Sequence, residues 1–202
     1  MKRNDYSAGS VSYALWFMEF RKEVQLLAQG KTVDEIKKLN KEENLFGIST
    51  PLRANRLINI VTSRIQSLDE SFYPIFLESD VTTQKLFALV GSLAQDTLFF
   101  DFVYEVVREK MIIGTDVLTD ADIRIFFKDK QAQDEIVASW TDQTLQRLGR
   151  TYKNQLFEAG ILDDNIRSTE RKIFKPILDP LLKHWLEDYG YDQMIKALEG
   201  IR

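Results

Sequence analysis

The sequence predicts a mainly α-helical protein: successive helices, an N-terminal helix-turn-helix, and a C-terminal part that fits a winged-helix-like module. Three observations carry this. Only nine glycines and four prolines interrupt the 202 residues. Apolar side chains recur at helical spacing through most of the chain. Helix-opening residues stand ahead of the apolar runs, at Thr32, Thr50-Pro51, Asp96, Thr119 and Asp179-Pro180. A hydrophobic content of 44% excludes a disordered chain. The absence of cysteine removes disulfides, thiolate nucleophiles and thiolate metal sites together.

Taken in order, Ser10 to Gln29 reads as a long helix ending at Gly30, a residue suited to the left-handed turn after a helix. Thr32-Val33-Asp34-Glu35 is a capping box opening a short amphipathic helix to about Asn44. After a turn containing Gly47, Thr50 and Pro51 start a helix that runs to Leu68. These elements define an expected module over residues 1–70, its last two helices in helix-turn-helix order. A central core follows over 71–132. Val81 to Gln95 is one helix, and Asp96 caps a second, from Thr97 to about Ile112, that is apolar nearly all round. Its polar stripe (Asp101, Glu105, Arg108, Glu109) reads as a solvent-facing strip. Thr119 caps a further helix through Phe126 and Phe127.

The last module, 133–202, opens with a helical stripe from Ile136 to Phe157 ending at Gly160, with Arg147, Arg150 and Lys153 away from most of it. A basic segment, Arg167 to Lys175, leads into an extended Lys175-Pro176-Ile177-Leu178. Two short helices, from Pro180 to Tyr189 and from Tyr191 to Glu199, close the chain. Long helix, basic extended segment and paired short helices together suggest the winged-helix-like module.

The most informative segment is Pro51 to Leu68. Placed at 100° per residue, Ala54, Leu57, Ile58, Val61, Ile65 and Leu68 share an arc of about 100°. The opposite side carries Asn55, Asn59, Thr62 and Gln66, flanked by Arg53, Arg56, Ser63 and Arg64. No Asp or Glu occurs from Gly47 through Leu68, in a chain of net charge −4. One face packs, and the other offers guanidinium and amide donors with no carboxylate to repel phosphate. Such a helix suits a duplex groove, so Arg53, Asn55, Arg56, Asn59, Ser63 and Arg64 are the candidate DNA contacts. Arg171, Lys172 and Lys175 are candidates for a second, phosphate-level contact. Pattern alone leaves open a three-helix bundle whose third helix merely has a solvated basic face. Recognition of single strands needs exposed aromatics for stacking, and the basic helix carries none.

No catalytic constellation, metal-ligand set or cofactor motif is present. The single histidine, His184, has no second histidine to share a metal, and Gly91 and Gly149 are isolated glycines within helical patterns. The longest uncharged run, Tyr6 to Met18, is too short to span a bilayer and too polar for a signal-peptide core. The expectation is a non-enzymatic, soluble cytoplasmic protein that binds no membrane.

Several short motifs in fixed order extend this reading: Tyr6-Ser7-Ala8-Gly9, Glu43-Asn44-Leu45-Phe46, Leu98-Phe99-Phe100-Asp101-Phe102 running into Val107-Arg108-Glu109-Lys110, Phe126-Phe127, Ala138-Ser139-Trp140-Thr141, and Glu158-Ala159-Gly160-Ile161-Leu162. Their ordered combination resembles the BrxA family of bacterial BREX phage-defence systems. The resemblance implies a mainly helical, non-catalytic member of a defence operon whose enzymes are separate proteins. It also implies partners among those proteins, such as the methyltransferase or ATPase component. Two nucleic-acid roles go with the family: duplex DNA binding through helix-turn-helix modules, and a likeness to RNA-binding antitermination proteins of the NusB type. The residues of the basic helix favour double-stranded DNA. An assembly role within the BREX complex is the other expectation left standing.

Overall fold

Capping chemistry cuts the chain into the helices that its apolar periodicity predicts. The structure, a computed structural model, describes residues 3–164 and 168–202; Arg167 lies outside them. Helices α1 (Phe17–Ala28), α2 (Val33–Glu43) and α3 (Pro51–Gln66) form the N-terminal trio. The α2 capping box is made as expected: Glu35 N donates to Thr32 Oγ1 and Thr32 N to the Glu35 carboxylate. At α3, Pro51 takes the first helical position, but the Thr50 hydroxyl makes no capping bond.

The first helix begins at Phe17, not at Ser10. A single 3-10 turn at Ala8–Ser10 and a turn at residues 11–12 lead instead into a non-helical strap, residues 13–16, where Trp16 adopts a left-handed backbone (φ 54°). The Ala14 and Leu15 carbonyls accept from the Arg64 guanidinium at 3.0 and 2.8 Å rather than from a helical turn. A long-range partner has therefore overridden local helix preference.

The short α4 (Phe72–Glu78) brings Phe72 and Phe76 onto α5 (Val81–Gln95). Helix α5 and the helical run Thr97–Ile112 meet at a 112° bend around Asp96. The Asp96 carboxylate caps the second helix through Phe99 N (3.0 Å) and also accepts from Ser10 Oγ (2.8 Å). That run consists of α6 (Thr97–Phe102), a π-helical turn at Val103–Val107, and α7 (Arg108–Ile112). Of its polar stripe, Glu105 and Glu109 face solvent as expected and Arg108 is half-buried, but Asp101 does not face it. Asp101 is buried, accepting from Arg3 (2.7 Å) and Tyr6 (2.6 Å), with buried Lys130 3.5 Å away. The N-terminal segment lies over this carboxylate and takes it out of water. Arg108 pairs with its neighbour Glu109, while Glu105 pairs with Lys130 at 2.7 Å.

Next come β1 (Val117–Thr119), α8 (Asp120–Gln133), the single turn α9 (Glu135–Ala138) and α10 (Asp142–Glu158). The helical stripe expected from Ile136 onward is broken at residues 139–141, where Thr141 Oγ1 accepts from Thr144 N and restarts the helix. Strand β2 (Glu170–Lys172) pairs antiparallel with β1, and Leu162 bridges Ile173 on the other side. Strand β1, helices α8 to α10 and β2 thus form one small unit around a two-stranded sheet, to which Leu162 adds a single bridge. The partner strand comes from before α8. The paired short helices, α11 (Pro180–Asp188) and α12 (Asp192–Glu199), are not part of this unit; they pack on α4 and on the π-turn and α7 respectively. Gly149 lets α8 and α10 cross closely, since a Cβ there would stand 2.7 Å from Ile123 Cγ2.

One buried cluster runs from Leu15 to Leu198. Phe20, Phe72, Phe76, Phe87 and Trp185 form one aromatic group, with Trp185 Nε1 satisfied by Ser71 Oγ at 2.9 Å. Phe99, Phe102, Phe126, Phe127 and Tyr152 form another beneath α10. No described helix is long and apolar enough by itself to cross a membrane.

Candidate nucleic-acid interface

Helix α3 packs through Ala54, Leu57, Ile58, Val61 and Ile65, and displays Arg53, Asn55, Arg56, Asn59 and Ser63. The displayed side chains are those expected from the helical wheel, with two corrections: Arg64, expected on a flank, and Thr62, expected on the opposite side, are both buried. Arg64 is only 2% exposed, so it is withdrawn from the candidate DNA contacts. Its guanidinium holds the Ala14 and Leu15 carbonyls, approaches Gln155 Oε1 at 3.4 Å and lies 5.5 Å from the Trp16 ring centroid. Burial pulls its pKa down to about 10, opposed by Asp96 and Glu158, so it stays charged at neutral pH. Thr62 donates to the carboxylate of buried Glu23. Neighbours on both flanks widen the covered arc from about 100° to about 160°, and these two side chains fall inside it.

Arg56 is exposed, with its guanidinium carbon 5.1 Å from the Tyr13 ring centroid. Tyr13 belongs to the strap and lines two grooves. Asn59, Ser63 and Ile60 of α3 line the first, together with Asp5 and Asp96. Arg147, Arg150 and Asn154 of α10 line the second. Helix α10 thus shows the pattern that singled out α3: no Asp or Glu from Gln143 through Phe157, and Gln143, Gln146, Arg147, Arg150 and Asn154 exposed. The acid-free run was there to be read, but nothing in the sequence places α10 beside α3. Lys153 is not free, because its ammonium lies 2.6 Å from Asp120.

The second predicted contact is reduced as well. Arg171 is 3% exposed, its Nε 3.8 Å from Asp163 and its guanidinium carbon 6.0 Å from the Phe157 ring centroid. Strand alternation turns it inward, whereas Lys172 and Lys175 are exposed. Lys172 lies 3.7 Å from Asp116. Among the described residues no three His, Cys, Asp or Glu side chains converge as metal ligands. His184 is exposed on α11 beside Glu187 and Asp188.

The fold and this surface define a mainly helical protein presenting two arginine-bearing helix faces, on α3 and α10, on either side of one strap. The whole fold matches the crystal structure of an uncharacterized protein from Magnetospirillum magneticum, with a TM-score of 0.80 at 16% identity over 98% of this chain and 100% of that one. A BrxA family model matches residues 4–190, and the chain belongs to the BrxA family. It is 36% identical over 179 residues to the BREX protein BrxA of Bacillus cereus (strain H3081.97), covering 89% of this chain and 88% of the relative. To the BREX protein BrxA of Escherichia coli O9:H4 (strain HS) it is 23% identical over 159 residues, covering 79% of this chain and 73% of that one. Membership of this phage-defence system implies that other BREX components are its partners.

Proposed function

We propose that this BrxA-family protein is a non-catalytic, cytoplasmic component of its BREX system that binds duplex DNA. The carrying observation is the outer face of α3, where Arg53, Asn55, Arg56, Asn59 and Ser63 are all exposed and no carboxylate occurs on the helix. A helix of this kind places cations at phosphate and amides at base edges, and asparagine pairs bidentately with adenine. With Arg64 and Arg171 buried, few cations remain for phosphate. Binding by the protein alone is therefore weak, on the order of micromolar at physiological salt, with little sequence preference. In this reading the protein holds DNA for the larger BREX enzymes, and the methyltransferase supplies specificity. The 82%-exposed Leu52, beside Arg53, favours a second role as an assembly contact with the methyltransferase or ATPase component.

The test is a titration of duplex DNA, single strands and RNA across a salt series, with wild type and R53E/R56E. Duplex binding that falls steeply with salt and is abolished in the folded double variant supports the reading. Unchanged affinity in that variant removes α3 from it. A preference for RNA points to the NusB-like alternative. A preference beyond about 100-fold, near 3 kcal/mol, for a duplex carrying the system's recognition site over a scrambled one shows a specific reader instead.

A further inference from the structure

We infer that α3 and α10 form one continuous duplex-binding surface, bridged by Tyr13, so that a single DNA molecule contacts Arg53 and Arg56 on one side of the strap and Arg147 and Arg150 on the other. The inference deepens the proposed duplex binding and rests on it. Three observations place the two helices together. Arg56 stacks on Tyr13, and Tyr13 also lines the groove formed with Arg147, Arg150 and Asn154. Helix α3 carries no acid, and α10 carries none between exposed Asp142 at its start and Glu158 at its end. Their relative placement is fixed from beneath. Buried Arg64 of α3 holds the strap carbonyls of Ala14 and Leu15, while Gln155 of α10 donates to the Tyr13 carbonyl at 3.2 Å and faces Arg64 at 3.4 Å. The strap is therefore pinned to both helices, and the arginines of each face stand in a set relation to those of the other. Helix α10 is also the last and longest helix between β1 and β2.

One surface and two separate sites predict different binding behaviour. Four arginines acting on one duplex give a log–log salt slope near −3.6, against about −1.8 for the two on α3 alone. The experiment uses a labelled duplex of about 20 base pairs, two helical turns. Affinity, salt slope and stoichiometry are measured for wild type, R53E/R56E, R147E/R150E and the milder R147Q/R150Q, with circular dichroism and melting as folding checks. The expected result is one duplex per protein, with each pair of substitutions lowering affinity at least tenfold and flattening the slope by about two. Wild-type affinity and slope in folded R147Q/R150Q, with R53E/R56E weakened, overturn the inference and leave the α3 reading intact. Two duplexes bound per wild-type protein overturn it as well. Failure of wild type to bind duplex at all overturns both.

Discussion

Glu23 supplies the sharpest test of how the basic helix is supported. It lies on α1 beneath α3 with no solvent exposure. One carboxylate oxygen accepts from Thr62 Oγ1, and Oε2 has no hydrogen-bond partner among the described residues. Burial outweighs Thr62 and the more distant Lys37, raising its pKa from an ordinary 4.5 to about 7. A carboxyl whose pKa is higher folded than unfolded binds its proton more tightly in the native state. Its contribution to stability is complete below about pH 4.5 and is lost as the pH rises through 7. The difference corresponds to about 3 kcal/mol at pH 8. Glu23→Gln keeps the shape and an acceptor for Thr62 but cannot ionise. Its stability relative to wild type should therefore grow from near zero at pH 4.5 to as much as about 3 kcal/mol at pH 8, roughly 6–12 °C in Tm for a chain of this size. Asp96 and Glu158, also raised by burial, are common to both proteins and cancel in the difference. Urea denaturation at half-unit pH steps measures the gap. A gap that stays constant between pH 4.5 and 8 refutes the assignment of a strained, ionising Glu23.

Three other outcomes are expected. Arg64→Met leaves the Ala14 and Leu15 carbonyls without their charged donor and should cost about 3–5 kcal/mol in urea denaturation, whereas exposed Arg53→Met should stay within about 0.5 kcal/mol; equal effects would contradict the buried role of Arg64. Gly149→Ala drives a methyl against Ile123 at the α8–α10 crossing and should destabilise by about 1–3 kcal/mol despite the better helix former; a variant melting at or above wild type would show that the crossing relaxes freely. Neutralising Lys172 and Lys175 should lower affinity for every duplex alike and flatten the salt slope by up to about two, and an unchanged slope would remove β2 and the segment after it from the DNA contact.

Local chemistry made much of this protein legible in one dimension. The Thr32–Glu35 and Thr119 caps, Asp96 between α5 and α6, and the Asp179-Pro180 start of α11 are all formed by neighbours in sequence, and all occur where read. The packed and displayed sides of α3 follow from the same local geometry, since 100° per residue determines which side chains share a face. What that rule leaves open is how wide a face the neighbours cover. Glu23 on one flank, with the strap and Gln155 on the other, claimed Thr62 and Arg64 from the edges of α3. Asp101 was likewise drawn inward by Arg3, far away in sequence, whereas strand alternation alone turned Arg171 toward Phe157 and Asp163. The pairing of β1 with β2 and the meeting of α3 and α10 around Tyr13 were also settled only in three dimensions. Periodicity and capping depend on residues within about one helical turn. The partner of a charge at the rim of a helix depends on which distant segment is packed beside it, and that is a property of the tertiary structure alone.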